Sequence, residues 1–131
     1  LYELFSTGDV NDAYSNITDS WIEIYKRYQT ENHKITDIYE SDEILDEIAI
    51  KSLCSNELKI NLQTLLSFYR EVYICYKGNL CDRDTLDELF LDQAKGIYFN
   101  YSGYILTSRN AGVNNYGLHL EQYIYADRKS K

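Results

Sequence analysis

The sequence predicts an all-α fold: an up-and-down bundle of four main helices plus a short C-terminal helix, built as a single helical-bundle domain over residues 1–131. Three observations predict it. Apolar side chains return at three- and four-residue steps in four segments, the spacing that lines up one face of an α-helix. Proline is absent and only six glycines occur, which favours uninterrupted helices over turn-rich β structure. The connections between the segments are a few residues long, so neighbouring helices run antiparallel.

Leu1 to Thr7 is a short apolar lead ending at Gly8. Asp9 then opens the first long helix as N-cap, with Asp12 three residues on. Its stripe is Val10, Ala13, Tyr14, Ile17, Trp21, Ile24, Tyr25 and Tyr28, running to about Asn32. Trp21 lies at the centre of that stripe and reads as a core anchor. Ile35 to Tyr39 is a connection. Ser41 caps a second helix whose inward side chains are Ile44, Leu45, Ile48, Ala49 and Leu53. Asp37, Glu40, Asp42, Glu43, Asp46 and Glu47 crowd its start, as a solvated acidic face or a docking face for a basic partner.

The third helix is capped by Ser55 or Asn56 and carries Leu58, Leu62, Leu65, Leu66, Tyr69, Val72, Tyr73 and Tyr76 on one side. It ends in the turn Tyr76-Lys77-Gly78-Asn79-Leu80, where Gly78 suits the left-handed residue that closes a helix. The fourth begins at Asp82 or Asp84, with Leu86, Leu89, Phe90, Ala94, Ile97, Tyr101, Tyr104, Ile105 and Ser108 as its stripe. This third-and-fourth pair is the scaffold that the other segments cover. Asn110 to Asn115 is a loop by composition. Tyr116, Leu120, Tyr123 and Ile124 mark the short terminal helix, and Arg128 to Lys131 is a basic, frayed tail.

Composition bounds the function. At 131 residues the chain is long enough for a real core. A net charge of −8 disfavours nucleic acid, whose binding needs a basic footprint, and disfavours an anionic membrane surface. No run of eighteen apolar residues exists to span a bilayer within the chain. The start at Leu1 rather than Met is read as a fragment or processed product, which leaves room for a membrane segment upstream; the expected location is the cytoplasm, either free or as the soluble part of a membrane-anchored protein. Cys54, Cys75 and Cys81 are an odd number among apolar neighbours and are read as reduced thiols of a cytosolic compartment, with a Cys75–Cys81 bridge across the turn they flank as the lesser alternative. Fourteen tyrosines serve either as amphipathic core-edge residues or as an aromatic binding surface.

The residues that carry chemistry do not converge. Only His33 and His119 occur, neither with a second histidine four residues away, and no C-x-x-C pair is present, so no metal and no cofactor is expected. Asp82-Arg-Asp84 opens like a calcium loop. Its sixth position is Asp87 rather than Gly and its twelfth Gln93 rather than Glu. Phosphate loops and nucleophile elbows are missing. Arg27 and His33, five residues apart, resemble the Arg-x4-6-His element of the HEPN helical ribonucleases. That resemblance implies metal-independent RNA cleavage with both side chains meeting at a dimer interface.

The segment Leu65-Leu66-Ser67-Phe68-Tyr69-Arg70-Glu71, the turn Lys77-Gly78-Asn79-Leu80, the acidic helix start, Ile97-Tyr98-Phe99, the run Tyr104-Ile105 to Arg109, Tyr116 and Leu120-Glu121 together resemble a bacterial domain family, DUF4760, over roughly Trp21 to Tyr125. Phe68-Tyr69-Arg70 stands where that family more often has Asn, two aromatic residues and Glu. The resemblance implies a small helical domain and no particular activity.

The expected function is therefore non-enzymatic: a helical protein-interaction or regulatory module, self-associating or binding a protein partner. Its expected contact residues are Tyr98, Tyr101, Arg109 and Tyr116. The alternatives are the ribonuclease using Arg27 and His33, and a bundle holding a small apolar ligand between its helices.

Overall fold

The computed structural model describes residues 9–31, 42–113 and 115–128. Five helices follow one another: α1 (Asp9–Glu31), α2 (Asp42–Ser52), α3 (Asn56–Lys77), α4 (Arg83–Asn110) and α5 (Leu118–Ile124), with no strand among the described residues. The expected lead over Leu1 to Thr7, the connection Ile35 to Tyr39, the cap at Ser41 and the end of the tail at Lys129 to Lys131 lie outside the described residues, as do the side chains of Asp42, Glu43 and Ile44.

The helix ends follow from local chemistry. Ser55 caps α3, its hydroxyl accepting the Leu58 N–H at 3.1 Å. Asp82 caps α4 by accepting the Thr85 N–H at 3.2 Å. At the end of α3 the expectation for Gly78 is corrected. Gly78 remains right-handed at φ −77, and the left-handed residue is Asn79 at φ 56. The Leu80 N–H reaches the Cys75 carbonyl at 3.0 Å and the Asn79 N–H the Tyr76 carbonyl at 3.3 Å, a Schellman closure one residue later than expected. Asparagine tolerates that backbone because its short amide bonds locally.

The apolar stripes bury as their spacing requires. Val10, Ala13, Ile17 and Trp21 of α1, Leu45, Ile48, Ala49 and Leu53 of α2, and Leu62, Leu65, Leu66, Tyr69, Val72 and Tyr76 of α3 all enter one core. On α4 the buried line is Leu86, Phe90, Ala94, Ile97, Tyr101 and Ile105. Leu89, expected inside, is 45% exposed because the seam drifts along the 94, 97, 101 side of the helix. Phe68, absent from the expected stripe, is buried and meets Phe90 edge-on at 5.2 Å. Trp21 is buried and stacks on Tyr25 at 5.3 Å.

Across the turn, α3 and α4 run antiparallel. Tyr76 meets Arg83 near the turn, and Tyr69 reaches Gln93 and Phe90 farther along. The two nevertheless approach each other over few residues. α1 packs on α3, α2 packs on α4, and α1 packs on α2, while α5 lies against both α3 and α4. The last short helix is thus a wedge that fills the gap in the hairpin, with Leu120 and Tyr123 fully buried.

Directional bonds supplement this packing. The Tyr101 hydroxyl donates to the Ile17 carbonyl at 2.6 Å, joining α4 to α1. Beside it, the Ser20 hydroxyl donates to the Ser52 carbonyl at 2.6 Å, joining α1 to α2, and the buried Ser52 hydroxyl turns back to the Ala49 carbonyl. Tyr69 donates to Gln93 Oε1 at 2.6 Å, and Tyr123 to Asp87 Oδ1 at 2.8 Å. The buried phenols therefore place their polar ends on acceptors, as amphipathic rings at a core edge do.

Two expectations near the α3–α4 turn are corrected. Cys75 and Cys81 are paired as a disulfide, with Cα atoms 5.4 Å apart, and the free cysteine is the exposed Cys54. The Schellman closure folds Cys81 back over the last turn of α3, which brings the two within bridging reach. Arg128, placed by its sequence in a frayed tail, is locked. Its Nε and Nη2 contact the two carboxylate oxygens of Asp87 at 2.8 and 3.1 Å, and further bonds go to the carbonyls of Tyr123, Ile124 and Ala126. Its guanidinium lies 5.1 Å from the ring centres of both Tyr76 and Tyr123. A planar cation held by a carboxylate and two ring faces does not fray.

Candidate functional site

The seam between α4 and α5 gathers most of the expected contact residues. Arg109, in the last turn of α4, donates from Nε to the Tyr116 carbonyl at 2.8 Å, so the α4–α5 connection is tied back onto α4. Its Nη2 lies 2.8 Å from Glu121 Oε2, an ion pair that is close but not aligned as a hydrogen bond. The Tyr116 ring meets Tyr104 edge-on at 5.9 Å. Gly117 follows at φ 70, and a Cβ there would come within 3.0 Å of Ile105 Cγ2, so glycine both permits the left-handed turn and lets α5 close on α4.

Tyr98 lies along the same seam, half-buried, with Tyr125 edge-on at 6.2 Å. Burial raises its phenol above the ordinary tyrosine value, and the negative charge of Glu121 raises it further. Burial likewise pushes up the phenol of Tyr116. Both rings stay neutral at physiological pH, presenting an apolar body and a hydroxyl donor.

Tyr101 does not join them. It is 1% exposed and its hydroxyl is committed to Ile17, so it belongs to the core and offers no surface. The four expected contact residues thus divide: Tyr98, Arg109 and Tyr116 line the seam, and Tyr101 lies beneath it. Arg27 is on the exposed face of α1, paired with Glu23 one turn earlier, and His33 lies outside the described residues.

The residues that complete the surface were not among the expected contact residues. Beside Tyr98, a shallow depression of about 400 Å³ is lined by Lys95, Tyr98, Phe99, Ser102, Ile124 and Tyr125. Phe99 is 47% exposed and Tyr125 70% exposed. The available signal was adjacency. Tyr98 and Phe99 follow Ile97, which is on the buried line, and consecutive helical positions point about a quarter-turn apart, so Phe99 must face outward. Glu121 was missed because nothing in the linear sequence connects it to Arg109.

Chemically, this surface offers aromatic area, one ammonium and a few hydroxyls. Among the described residues no group of three or more His, Cys, Asp or Glu side chains could hold a metal ion, and no helix is long and apolar enough to cross a membrane. Comparison of the chain with models of known protein families, with curated proteins and with solved structures finds no match.

Proposed function

We propose that the chain is a non-enzymatic helical interaction module, regulatory in role, whose contact surface is the aromatic depression between α4 and α5. One observation carries the reading. Phe99 and Tyr125 are large apolar side chains exposed next to one another, with Tyr98 and Ile124 completing a contiguous patch. Scattered exposed apolar residues are ordinary, whereas a contiguous patch marks a contact site. Tyrosine suits such a role because it contributes large area with little rotamer freedom to lose. Lys95 is the one charged residue in its lining, so the patch is largely apolar and can cover itself across a two-fold axis, and a second copy of this protein is the partner to test first.

The test is native mass spectrometry and sedimentation equilibrium of the wild type and of Tyr125→Asp. The expected result is a wild-type dimer that the variant converts to monomer with unchanged helicity. A wild type that remains monomeric at high concentration would overturn self-association. A dimer indifferent to Tyr125→Asp would overturn this choice of surface.

A further inference from the structure

A second concavity, lined by none of the residues of the aromatic patch, has a different chemistry. It lies between α3 and the connection leading into α5, and its polar lining is Gln63, Ser67 and Arg70 from α3 with Asn115, Gly117 and His119 from the other side, beside Tyr116 of the α4–α5 seam. Its volume is about 280 Å³, near the lower end of the roughly 300–1,000 Å³ typical of small-molecule sites. None of the described residues lining it is a carboxylate, although acidic residues outnumber basic ones by 21 to 13 in the chain.

Arg70 is the decisive side chain. Among the described residues it forms no ion pair. The positions three and four away on its helix face are Leu66, Ser67, Tyr73 and Ile74, so no neighbouring turn offers it a carboxylate. The same lining carries groups able to donate hydrogen bonds: the exposed Ser67 hydroxyl, which accepts from Gln63 Nε2 at 3.4 Å, the Asn115 amide, and the His119 ring, which packs beside Tyr73 at 6.0 Å. A guanidinium without an ion pair, in a lining that also carries donors and no carboxylate, is suited to recognising an oxyanion bidentately.

We propose that this cleft binds a small oxyanion, a phosphate or carboxylate group, held by Arg70 and completed by His119, Ser67 and Gln63. The site does not depend on the aromatic surface.

The test is a ¹H–¹⁵N NMR titration of the whole protein with inorganic phosphate and, separately, with acetate, at ionic strength held constant with chloride. The expected result is saturable shifts confined to the Gln63 and Asn115 side-chain amides and the backbone amides of Ser67, Gly117 and His119. Saturation with phosphate alone identifies a phosphate-bearing ligand, with acetate alone a carboxylate, and with both a general oxyanion site. Arg70→Gln should weaken binding by about tenfold or more, the effect of losing hydrogen bonds to a charged group. Arg70→Lys should weaken it less, and Lys26→Gln, the same charge change on the exposed face of α1, should leave it unchanged. Shifts that grow linearly without saturation, or saturation that survives Arg70→Gln, would overturn the proposal.

Discussion

Replacing Arg128 with alanine tests whether the end of the described chain is structural. The substitution removes both contacts to Asp87, three bonds to the carbonyls of Tyr123, Ile124 and Ala126, and the stacking on Tyr76 and Tyr123. The Arg128 side chain is 21% exposed and that of Asp87 17%, so solvent screens the pair only partly. A hydrogen bond to a charged group contributes a net ~1.5–3 kcal/mol, and each cation–π contact about 0.5–1 kcal/mol at a partly exposed site. Desolvation of the ions offsets part of this. The net expectation is a loss of about 3 kcal/mol, a large share of a domain's roughly 5–15 kcal/mol. Urea denaturation followed by circular dichroism measures it. Arg128→Lys should lose about half as much, and a double-mutant cycle with Asp87→Asn should give a coupling of about 1–2 kcal/mol. A loss under about 0.5 kcal/mol, the range of an ordinary surface substitution, would refute the claim that this guanidinium locks α5 to the α3–α4 hairpin.

Three further outcomes follow from the packing. Trp21→Ala should cost about 3–5 kcal/mol, as removal of a buried Trp does, and near-wild-type stability in urea would place that ring on the surface. Burial raises the phenols of Tyr69, Tyr101 and Tyr123 above the ordinary value, so the folded state keeps them neutral while the unfolded chain ionises near pH ~10. Their contribution is complete below that pH and lost above it, at up to about 4 kcal/mol per pH unit for three groups; a urea midpoint unchanged between about pH 9 and pH 11 would contradict this. Alkylation of the denatured protein should modify Cys54 alone before reduction and all three cysteines after it, read by mass. Three modified thiols without reductant would show that Cys75 and Cys81 are not bridged.

The helices were legible because their signals are local. Ser55 and Asp82 are short polar residues just before apolar stripes, and each cap bond is made within three residues. The stripe of α1 was visible in full for the same reason. What escaped was set by partners distant in sequence. Asp87 and Arg128 are 41 residues apart, and neither suggests the other until α5 turns back toward the start of α4. The same holds for Glu121 and Arg109. Composition marked the arginine tail as exposed, but it could not show that two tyrosine faces and a carboxylate would meet there. Tyr101 lies on the buried stripe that its spacing assigned to α4, yet it was also expected as a contact residue, because a tyrosine reads equally well as surface or core and the Ile17 carbonyl that holds it is 84 residues away. The wedge position of α5 was likewise invisible: a tight turn dictates that α3 and α4 run antiparallel, but it does not dictate that they touch along their length.

The Ser20 hydroxyl has a consequence for uniqueness. Interfaces made only of aliphatic side chains offer near-equivalent seatings displaced by one helical turn, about 5.4 Å. Sliding α1 by that distance could still bury Ile17 and Ala13, and it would offer Tyr101 the carbonyl of Ala13 or Trp21 in place of that of Ile17, because backbone carbonyls recur every turn. The Ser20 hydroxyl has no such substitute: the slide brings Asn16 or Ile24 to its place and leaves the Ser52 carbonyl without this part-buried bond. A net hydrogen bond of this kind is worth about 0.5–1.5 kcal/mol. Ser20 thus acts as an index pin: it contributes modestly to how strongly the bundle holds, and more to its holding in one alignment rather than several.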